Sequence, residues 1–166
     1  MTLHFRFANS ADGPIFTEIL KDLYVHYYGP GARDPEAVAR YVEETVMTAG
    51  TACEILLAES DGRTLGFATF SVNHPGPTLG GQLTLKDLYV HSAARSQGIG
   101  PKILQELARI ALARNCSRVD WTAETTNPRA LAFYDRLGAR REEEKVYFRL
   151  DGDALEAVAA KGKAEP

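Results

Sequence analysis

A loop that contains two glycines and an arginine is the stretch of this sequence best suited to chemistry. It consists of Arg95, Ser96, Gln97, Gly98, Ile99 and Gly100, and Pro101 follows in the expected first turn of a helix. Main-chain N–H groups lack partners at a helix N-terminus, and the helix dipole there attracts anions. Glycine admits a ligand close to the main chain, and arginine offers a fork of donors to phosphate. The pattern predicts a pyrophosphate cradle; the alternative is a tight turn that binds nothing.

The segments around this loop predict a parallel βαβ unit. Leu83–Val90 alternates apolar residues as a strand does, and Ser117–Thr122 indicates a second strand. Between them, one apolar helical stripe is formed by Ile103, Leu104, Leu107, Ile110 and Ala111. A strand, a crossover helix and a strand of this length make a right-handed parallel unit.

A second helix follows, with clear signals at both of its ends. Asn127 is suited to the N-cap, Pro128 to the first turn and Gly138 to the residue after the helix. One face of this helix carries Ala130, Leu131, Tyr134 and Leu137. A capping role for Asn127 and a core role for Tyr134 are the structural alternatives to functional roles.

The rest of the chain predicts further strands and helices. Strands are expected at Leu3–Ala8, Thr51–Glu59, Thr64–Asn73 and Lys145–Leu150. The turn Ser60-Asp61-Gly62-Arg63 predicts that the second and third of these strands form a hairpin. Helices are expected from Asn9 or Ser10 to about Gly29, from Asp34 or Pro35 to about Thr48, and at Asp151–Ala160. The first helix should bury Ile15, Ile19, Leu20, Leu23 and Tyr27. The predicted fold class is α/β: a single-domain mixed, mostly antiparallel sheet with helices on both faces.

Length and composition narrow the class of protein. A chain of 166 residues with 45% hydrophobic and 25% charged residues predicts one domain, 1–166, with a core of about 3–151 and a short C-terminal tail. A net charge of −3 without a basic run argues against a nucleic-acid partner, and no apolar run is long enough for a membrane span. Two isolated cysteines predict neither a disulfide framework nor a metal site. We therefore expect a cytoplasmic protein.

The two motifs together resemble the signatures of the GNAT family of N-acetyltransferases. The first is Arg95-x-x-Gly98-x-Gly100. The second contains, in order, Asn127, Ala130, Phe133, Tyr134, Leu137, Gly138 and Ala139. Their order and spacing are those of the family, and the resemblance covers nearly the whole chain. The sequences Leu85–Val90 and Asn127–Ala139 are most similar to those of diamine acetyltransferases.

The resemblance implies a GNAT-like acyl-CoA N-acyltransferase fold, acetyl-CoA as cosubstrate and no metal. The strands on either side of the first crossover helix would splay apart to admit the pantetheine arm. Residues implied to bind the cofactor are Leu88, Tyr89, Val90, Arg95, Ser96, Gln97, Gly98, Ile99, Gly100, Pro101 and Asn127. Many relatives dimerise, so a homodimer is expected.

The chemistry of amine acetylation explains which side chains are needed. An alkylammonium has a pKa near 10.4, so populating the neutral amine at about pH 7 costs about 4.6 kcal/mol. A carboxylate or a water molecule must take the proton, and Asp87 is the candidate base or water-orienting group. The alternative is that Asp87 only bonds to neighbouring main chain. The resemblance assigns Tyr134 as the acid that protonates the leaving thiolate.

The acceptor pocket departs from that of the diamine enzymes. Lys86 stands where those enzymes carry an acid, and an aromatic residue, Tyr27, replaces another acid near the end of the first helix. Tyr27 and Tyr28 could line the pocket or could only pack against the next helix. A lysine repels a polyamine, so we expect a small-molecule amine, such as a zwitterion whose carboxylate Lys86 pairs.

Two other classes of protein remain open. A Rossmann-type nucleotide-binding module also has a glycine loop before a helix, but Ile103 occupies its third glycine position. A non-catalytic acyl-CoA-binding sensor on the same fold would share every cofactor residue. A polyamine or protein-amine acetyltransferase is the alternative enzyme.

Overall fold

The chain divides into two units, residues 1–124 and 125–166. Among the described residues, the first unit contains a five-stranded sheet and three α-helices, and the second contains two further α-helices. The computed structural model describes residues 2–31, 33–48, 50–76 and 78–161. In this described part, the strands are β1 His4–Phe7, β2 Glu54–Ser60, β3 Arg63–Asn73, β4 Gly81–Val90 and β5 Cys116–Asp120. The α-helices are α1 Gly13–Tyr28, α2 Pro35–Tyr41, α3 Ile99–Ala113, α4 Pro128–Arg136 and α5 Gly152–Ala160.

The sheet has the order β1-β2-β3-β4-β5. Each neighbouring pair is antiparallel except β4 and β5, which are parallel and joined through α3. The predicted βαβ unit and the mixed, mostly antiparallel sheet are therefore confirmed. The β2–β3 hairpin is also confirmed, because Asp61 and Gly62 have φ of 51° and 73°, as a two-residue turn of this kind requires.

Alternate strand residues separate the core into two clusters, one on each face of the sheet. Leu56 and Ala68 belong to the cluster packed against α3, which contributes Ile103 and Leu107 with no exposed surface. The other cluster packs against α1 and α2 and includes Phe67. Helices thus cover both faces, as predicted.

The buried stripe of α1 differs from the predicted one. Ile15 is 44% exposed and Tyr27 58% exposed, whereas Phe16, which the periodicity did not select, is 2% exposed. The buried residues Phe16, Ile19, Leu20 and Leu23 share one helical face, and the Phe16 ring packs against that of Phe67 at 5.1 Å between centres. The helix begins at Gly13, after a 3-10 turn, Ser10–Asp12, in which the main-chain N–H of Asn9 donates to Asp12.

The second helix is shorter than predicted. Asp34 accepts hydrogen bonds from the main-chain N–H groups of Glu36 and Ala37, as an N-cap does, but the α-helix ends at Tyr41. The chain continues as a π-helical turn, Val42–Val46, which widens the spacing of the side chains.

The predicted last strand, Lys145–Leu150, is wrong. The segment contains no strand, and the side chains of Val146 and Phe148 are 72% and 86% exposed. Alternating apolar residues suit a strand but cannot form one without a neighbour to pair with, and no ladder partner for this segment occurs in the described residues. The terminal helix α5 is confirmed, while the tail after it, 162–166, lies outside the described residues.

Candidate functional site

The glycine loop joins β4 to α3 through two residues in the left-handed conformation. Ser96 has φ of 64° and Gly98 of 75°, and α3 begins at Ile99. A Cβ added to Gly98 would meet no atom within 4 Å. Open space beside a glycine at the start of a helix suits an anion. The loop therefore has room for an anion, such as a diphosphate, at the start of α3.

Side chains of the loop divide between solvent and core. Ser96 and Gln97 are exposed, and the Gln97 amide donates to the carbonyl of Ala93 at 3.2 Å. Ile99 is 1% exposed and packs in the cluster on the α3 side of the sheet. Ile99 can therefore offer a ligand only its main chain. Gly100 is half-buried and Pro101 exposed, and they continue the first turn of the helix.

Arg95 lies across the base of the loop. Its Nε donates to the carbonyl of Val90, the last residue of β4, at 3.0 Å. Its guanidinium also lies 5.5 Å from the centre of the Tyr89 ring, a cation–π contact. Burial raises the pKa of the Tyr89 hydroxyl, and the charge of Asp22 adds to the rise. Arg95 thus holds the end of the strand in addition to any contact with phosphate.

One edge of β4 is open over its second half. The parallel pairing with β5 joins Gly81 to Cys116, Leu83 to Val119 and Thr84 to Asp120. Within the described residues the ladder goes no further, so 85–90 extends beyond it while remaining paired with β3. The main chain of Leu88, Tyr89 and Val90 lies in this part of β4. An unpaired strand edge can bond an extended ligand arm such as pantetheine.

Asp87 lies on the face of the sheet that α1 and α2 cover, where its carboxylate is hydrogen-bonded to Thr69. The Thr69 hydroxyl donates to Asp87 Oδ2 at 2.7 Å, and the two residues are partners in the β3–β4 register. Thr69 is 4% exposed and Asp87 is half-buried. Among the residues that the structure describes, no basic side chain forms an ion pair with Asp87. A half-buried carboxylate of this kind suits a cationic ligand.

A β-bulge sits directly beside this pair. Thr69 pairs with Asp87 but the next residue, Phe70, pairs with Leu85, so Lys86 is the extra residue of β4. The Lys86 side chain is exposed and makes no ion pair with any described residue. An exposed cation, which is the extra residue of the bulge, thus directly precedes a half-buried anion that is paired with β3.

The charge of Asp87 reaches the hydroxyl of Tyr27, near the end of α1. Burial raises the pKa of Tyr27, and the charge of Asp87 is the next cause. Tyr28 is 62% exposed, and its ring centre lies 6.3 Å from that of Tyr27. A role of either tyrosine in an acceptor pocket stays a prediction.

The sequence did not single out Thr69, Tyr24 or Arg33. Burial raises the pKa of Tyr24, to which the charges of Tyr41 and Asp87 contribute. The Arg33 guanidinium lies 5.8 Å from the centre of the Tyr24 ring. A polar residue at an inward position of an otherwise apolar strand was the available signal for Thr69.

The second unit contains Asn127 and Tyr134. Asn127 is the N-cap of α4, and its side-chain oxygen accepts from the N–H of Ala130 at 3.1 Å. The capping role is therefore present, and its amide nitrogen remains a possible donor. Tyr134 is half-buried, with its ring centre 5.0 Å from that of Phe133. Gly138 has φ of 76° and ends the helix as predicted.

The described part of the chain contains neither a candidate metal site nor a helix suited to span a membrane. No group of three His, Cys, Asp or Glu side chains there could hold a metal ion. No helix among those residues combines the length and apolar character needed to cross a membrane. Cys53 and Cys116 are both free thiols, the first exposed and the second buried.

Comparison with known families agrees with the fold and the loop. Residues 16–139 match the acetyltransferase (GNAT) family, so the chain belongs to that family. The matched range includes both the glycine loop and the helix that carries Tyr134.

The chain is similar to two named acetyltransferases and to one solved structure. The chain is 38% identical over 85 residues to thialysine N-epsilon-acetyltransferase of Bos taurus, covering 49% of this chain and 50% of that protein. It is 31% identical over 93 residues to L-ornithine N5-acetyltransferase of Arabidopsis thaliana, covering 56% and 41%. These alignments span about half or less of either relative. An integron cassette protein from V. cholerae is similar over 96% of this chain and 98% of its own, at 36% identity and a TM-score of 0.90.

Proposed function

We propose that this chain is an enzyme with one catalytic domain, which transfers the acetyl group of acetyl-CoA to a small amine that also carries a carboxylate. The observation that carries the proposal is the position of Asp87. Its carboxylate has no basic partner among the described residues and stands three residues before the end of β4. A short 3-10 turn, Ser92–Ala94, then leads into the glycine loop at Arg95. An anion for the amine and a cradle for the acetyl donor thus lie on one short stretch of chain.

Asp87 supplies what the attacking amine needs. The neutral amine is costly near pH 7, by about 4.6 kcal/mol for an ordinary alkylamine. A carboxylate first holds the ammonium and then takes its proton, directly or through a water molecule. Tyr27 lies close enough for the Asp87 charge to affect its hydroxyl, so its ring forms part of the amine pocket.

The acyl transfer forms one bond and breaks one. The amine nitrogen attacks the thioester carbonyl carbon, the new C–N bond forms, and the C–S bond breaks. The amine proton leaves to Asp87 or water, and the sulfur takes a proton from the hydroxyl of Tyr134. A positioned acid of this kind contributes roughly 10² to 10⁴ in rate.

The cosubstrate would be held by main chain more than by side chains. Leu88, Tyr89 and Val90 offer the open edge of β4, and the loop from Arg95 through Gly98 offers N–H groups to the diphosphate. Asn127 would add its amide nitrogen.

The acceptor class rests on two adjacent charges. Asp87 suits an ammonium, and Lys86, exposed on the bulge, suits a carboxylate. The names of two relatives give thialysine and L-ornithine as their acceptors, and L-ornithine carries both groups. A polyamine carries only cations, which Lys86 would repel.

Turnover with a panel of amines tests this function. Release of CoA from acetyl-CoA is followed with L-ornithine, L-lysine, thialysine, simple monoamines, spermidine and a lysine-containing peptide. Fastest turnover of an amino acid supports the proposal, whereas fastest turnover of spermidine or the peptide assigns the alternative enzyme. Tight binding of acetyl-CoA with no turnover of any amine would indicate a sensor.

We further propose a cytoplasmic homodimer without nucleic-acid or membrane partners. The net charge of −3 supports the absence of a nucleic-acid partner, and the two free thiols suit a reducing compartment. The dimer is proposed from the resemblance to the family, many members of which dimerise. Light scattering on the purified chain measures the oligomeric state, and a monomeric mass would contradict the dimer.

A further inference from the structure

We propose that Thr69 is a positioning residue that acts through Asp87, fixing which carboxylate oxygen receives the acceptor amine. The inference rests on the proposed function, since it gives Asp87 its partner. Thr69 is a buried side chain on β3, outside both signature motifs.

The geometry of the pair restricts the Asp87 carboxylate. Thr69 Oγ1 donates to Oδ2 at 2.7 Å, a short distance typical of a hydroxyl bonded to a charged acceptor. Among the described residues, no hydrogen bond is made to Oδ1. One oxygen is thus held by the protein while the other is available to a ligand.

Because the Thr69 hydroxyl is buried, it needs the hydrogen bond to Asp87. Thr69 is 4% exposed, and its neighbour on the same face of β3, Phe67, has no exposed surface. A hydroxyl in such surroundings costs free energy unless it is bonded. Valine would fill the same volume without that requirement, so packing alone does not explain a threonine.

The bulge ties the pair to the acceptor pocket. The β3–β4 register changes immediately after Thr69, leaving Lys86 as the extra residue beside Asp87. Bulges re-aim side chains and are common beside active sites. The Thr69 hydrogen bond lies at this break and therefore fixes the Asp87 side chain where the strand itself is irregular.

The simpler alternative is that Thr69 only stabilises the sheet through a cross-strand bond. The chain contains a matched case. Thr64, also on β3, donates to the carboxylate of Glu59 on β2 at 3.3 Å, and these residues are likewise register partners. Thr64→Val therefore removes a cross-strand threonine–carboxylate bond away from Asp87.

A double-mutant cycle tests the inference with the best amine of the panel. Thr69→Val should lower kcat/KM for the amine about tenfold, the effect of one hydrogen bond to a charged group, with KM for acetyl-CoA unchanged. Thr69→Ser should restore most of the loss. In an Asp87→Asn background, Thr69→Val should lower kcat/KM less than about twofold, because residues that act as a unit are not additive.

Different outcomes would reject the positioning role of Thr69 and the proposed acetyltransferase function. Loss of activity in Thr64→Val equal to that in Thr69→Val, or full additivity with Asp87→Asn, would overturn the positioning role. If Thr69→Val lowered the thermal midpoint and the acetyl-CoA affinity together with the activity, Thr69 would have only a structural role. Absence of turnover by the wild-type chain with every amine would instead reject the proposed function itself.

Discussion

Gly98 and Gly62 have nearly the same backbone conformation, with φ of 75° and 73°, and a Cβ added to either would meet no atom within 4 Å. Gly98 precedes α3 in the glycine loop, whereas Gly62 is in the turn between β2 and β3. Valine at either position pays the same penalty for a left-handed backbone, of about 1–2 kcal/mol. A difference in acetyl-CoA affinity between the two valine variants therefore reports on a ligand beside one of the glycines and not on backbone strain.

Gly98→Val should weaken acetyl-CoA binding by at least about tenfold, because the new side chain occupies the space in which the diphosphate is proposed to lie. Gly62→Val should bind acetyl-CoA as the wild type does. Calorimetric titration of both variants provides the comparison, with thermal unfolding to confirm that both are folded. Equal affinities of Gly98→Val and the wild type would place the phosphates elsewhere.

Tyr134→Phe should lower kcat about tenfold or more, because only the hydroxyl that protonates the thiolate is removed. KM for acetyl-CoA should change much less, since the ring is retained. Tyr147→Phe is the matched control, because Tyr147 belongs to the same unit and is 71% exposed. Steady-state and single-turnover kinetics give both constants. An unchanged kcat with chemistry shown to be rate-limiting would leave solvent as the acid.

Lys86→Glu should move the acceptor preference toward polyamines. The substitution replaces the cation on the bulge with the acid found in the diamine enzymes, so kcat/KM should fall for an amino acid and rise for spermidine, each about tenfold. Lys145→Glu makes the same change of charge at another exposed lysine and should leave the ratio unaltered. Competition between the two amines in one reaction measures the ratio directly. An equal shift in both variants would attribute it to net charge.

Stability should depend on the pair formed by Arg6 and Asp12. Arg6 donates to both Asp12 oxygens at 2.7 Å, and this bonding holds the pKa of Asp12 below its usual range. A lowered carboxyl pKa contributes stability above the unfolded pKa, about 3.9, and that contribution is lost as the pH falls through the folded value. Asp12→Asn should therefore cost about 1.5–3 kcal/mol near neutral pH.

Urea unfolding at several pH values checks this expectation. The difference between wild type and Asp12→Asn should shrink below about pH 4 as the Asp12 carboxyl of the wild type becomes protonated. Asp151→Asn is the control, because Asp151 precedes α5, is exposed and makes no side-chain capping bond. A difference that is constant with pH would show that the charge of Asp12 is not its source.

Predictions from the sequence succeeded where a few neighbouring residues decide the structure. The Asp61–Gly62 turn, the Asn127 cap and the glycine before α3 each follow from conformational preferences and hydrogen bonds within about four residues. The apolar stripe of α3 was equally clear because a helix repeats over a fixed period. The glycine loop could therefore be placed at a helix N-terminus from the sequence.

Prediction from the sequence failed where the structure of a segment depends on contacts with a part of the chain distant in sequence. Lys145–Leu150 alternates as a strand does but forms none, since alternation does not supply a pairing partner. In α1, Phe16 is buried rather than Ile15 because the Phe16 ring packs against Phe67 of the sheet. Periodicity alone selects a face only approximately.

The amino-acid sequence by itself determined that a strand enters a glycine loop and a helix leaves it, because local turn and helix preferences suffice for that arrangement. Only the tertiary structure decided that Thr69 meets Asp87. The two residues are 18 positions apart, and the connector between β3 and β4 does not set a register. Packing of α1 and α2 on one face and α3 on the other fixes the register and the bulge. That packing sets Asp87 opposite Thr69, on the face of the sheet that α1 and α2 cover.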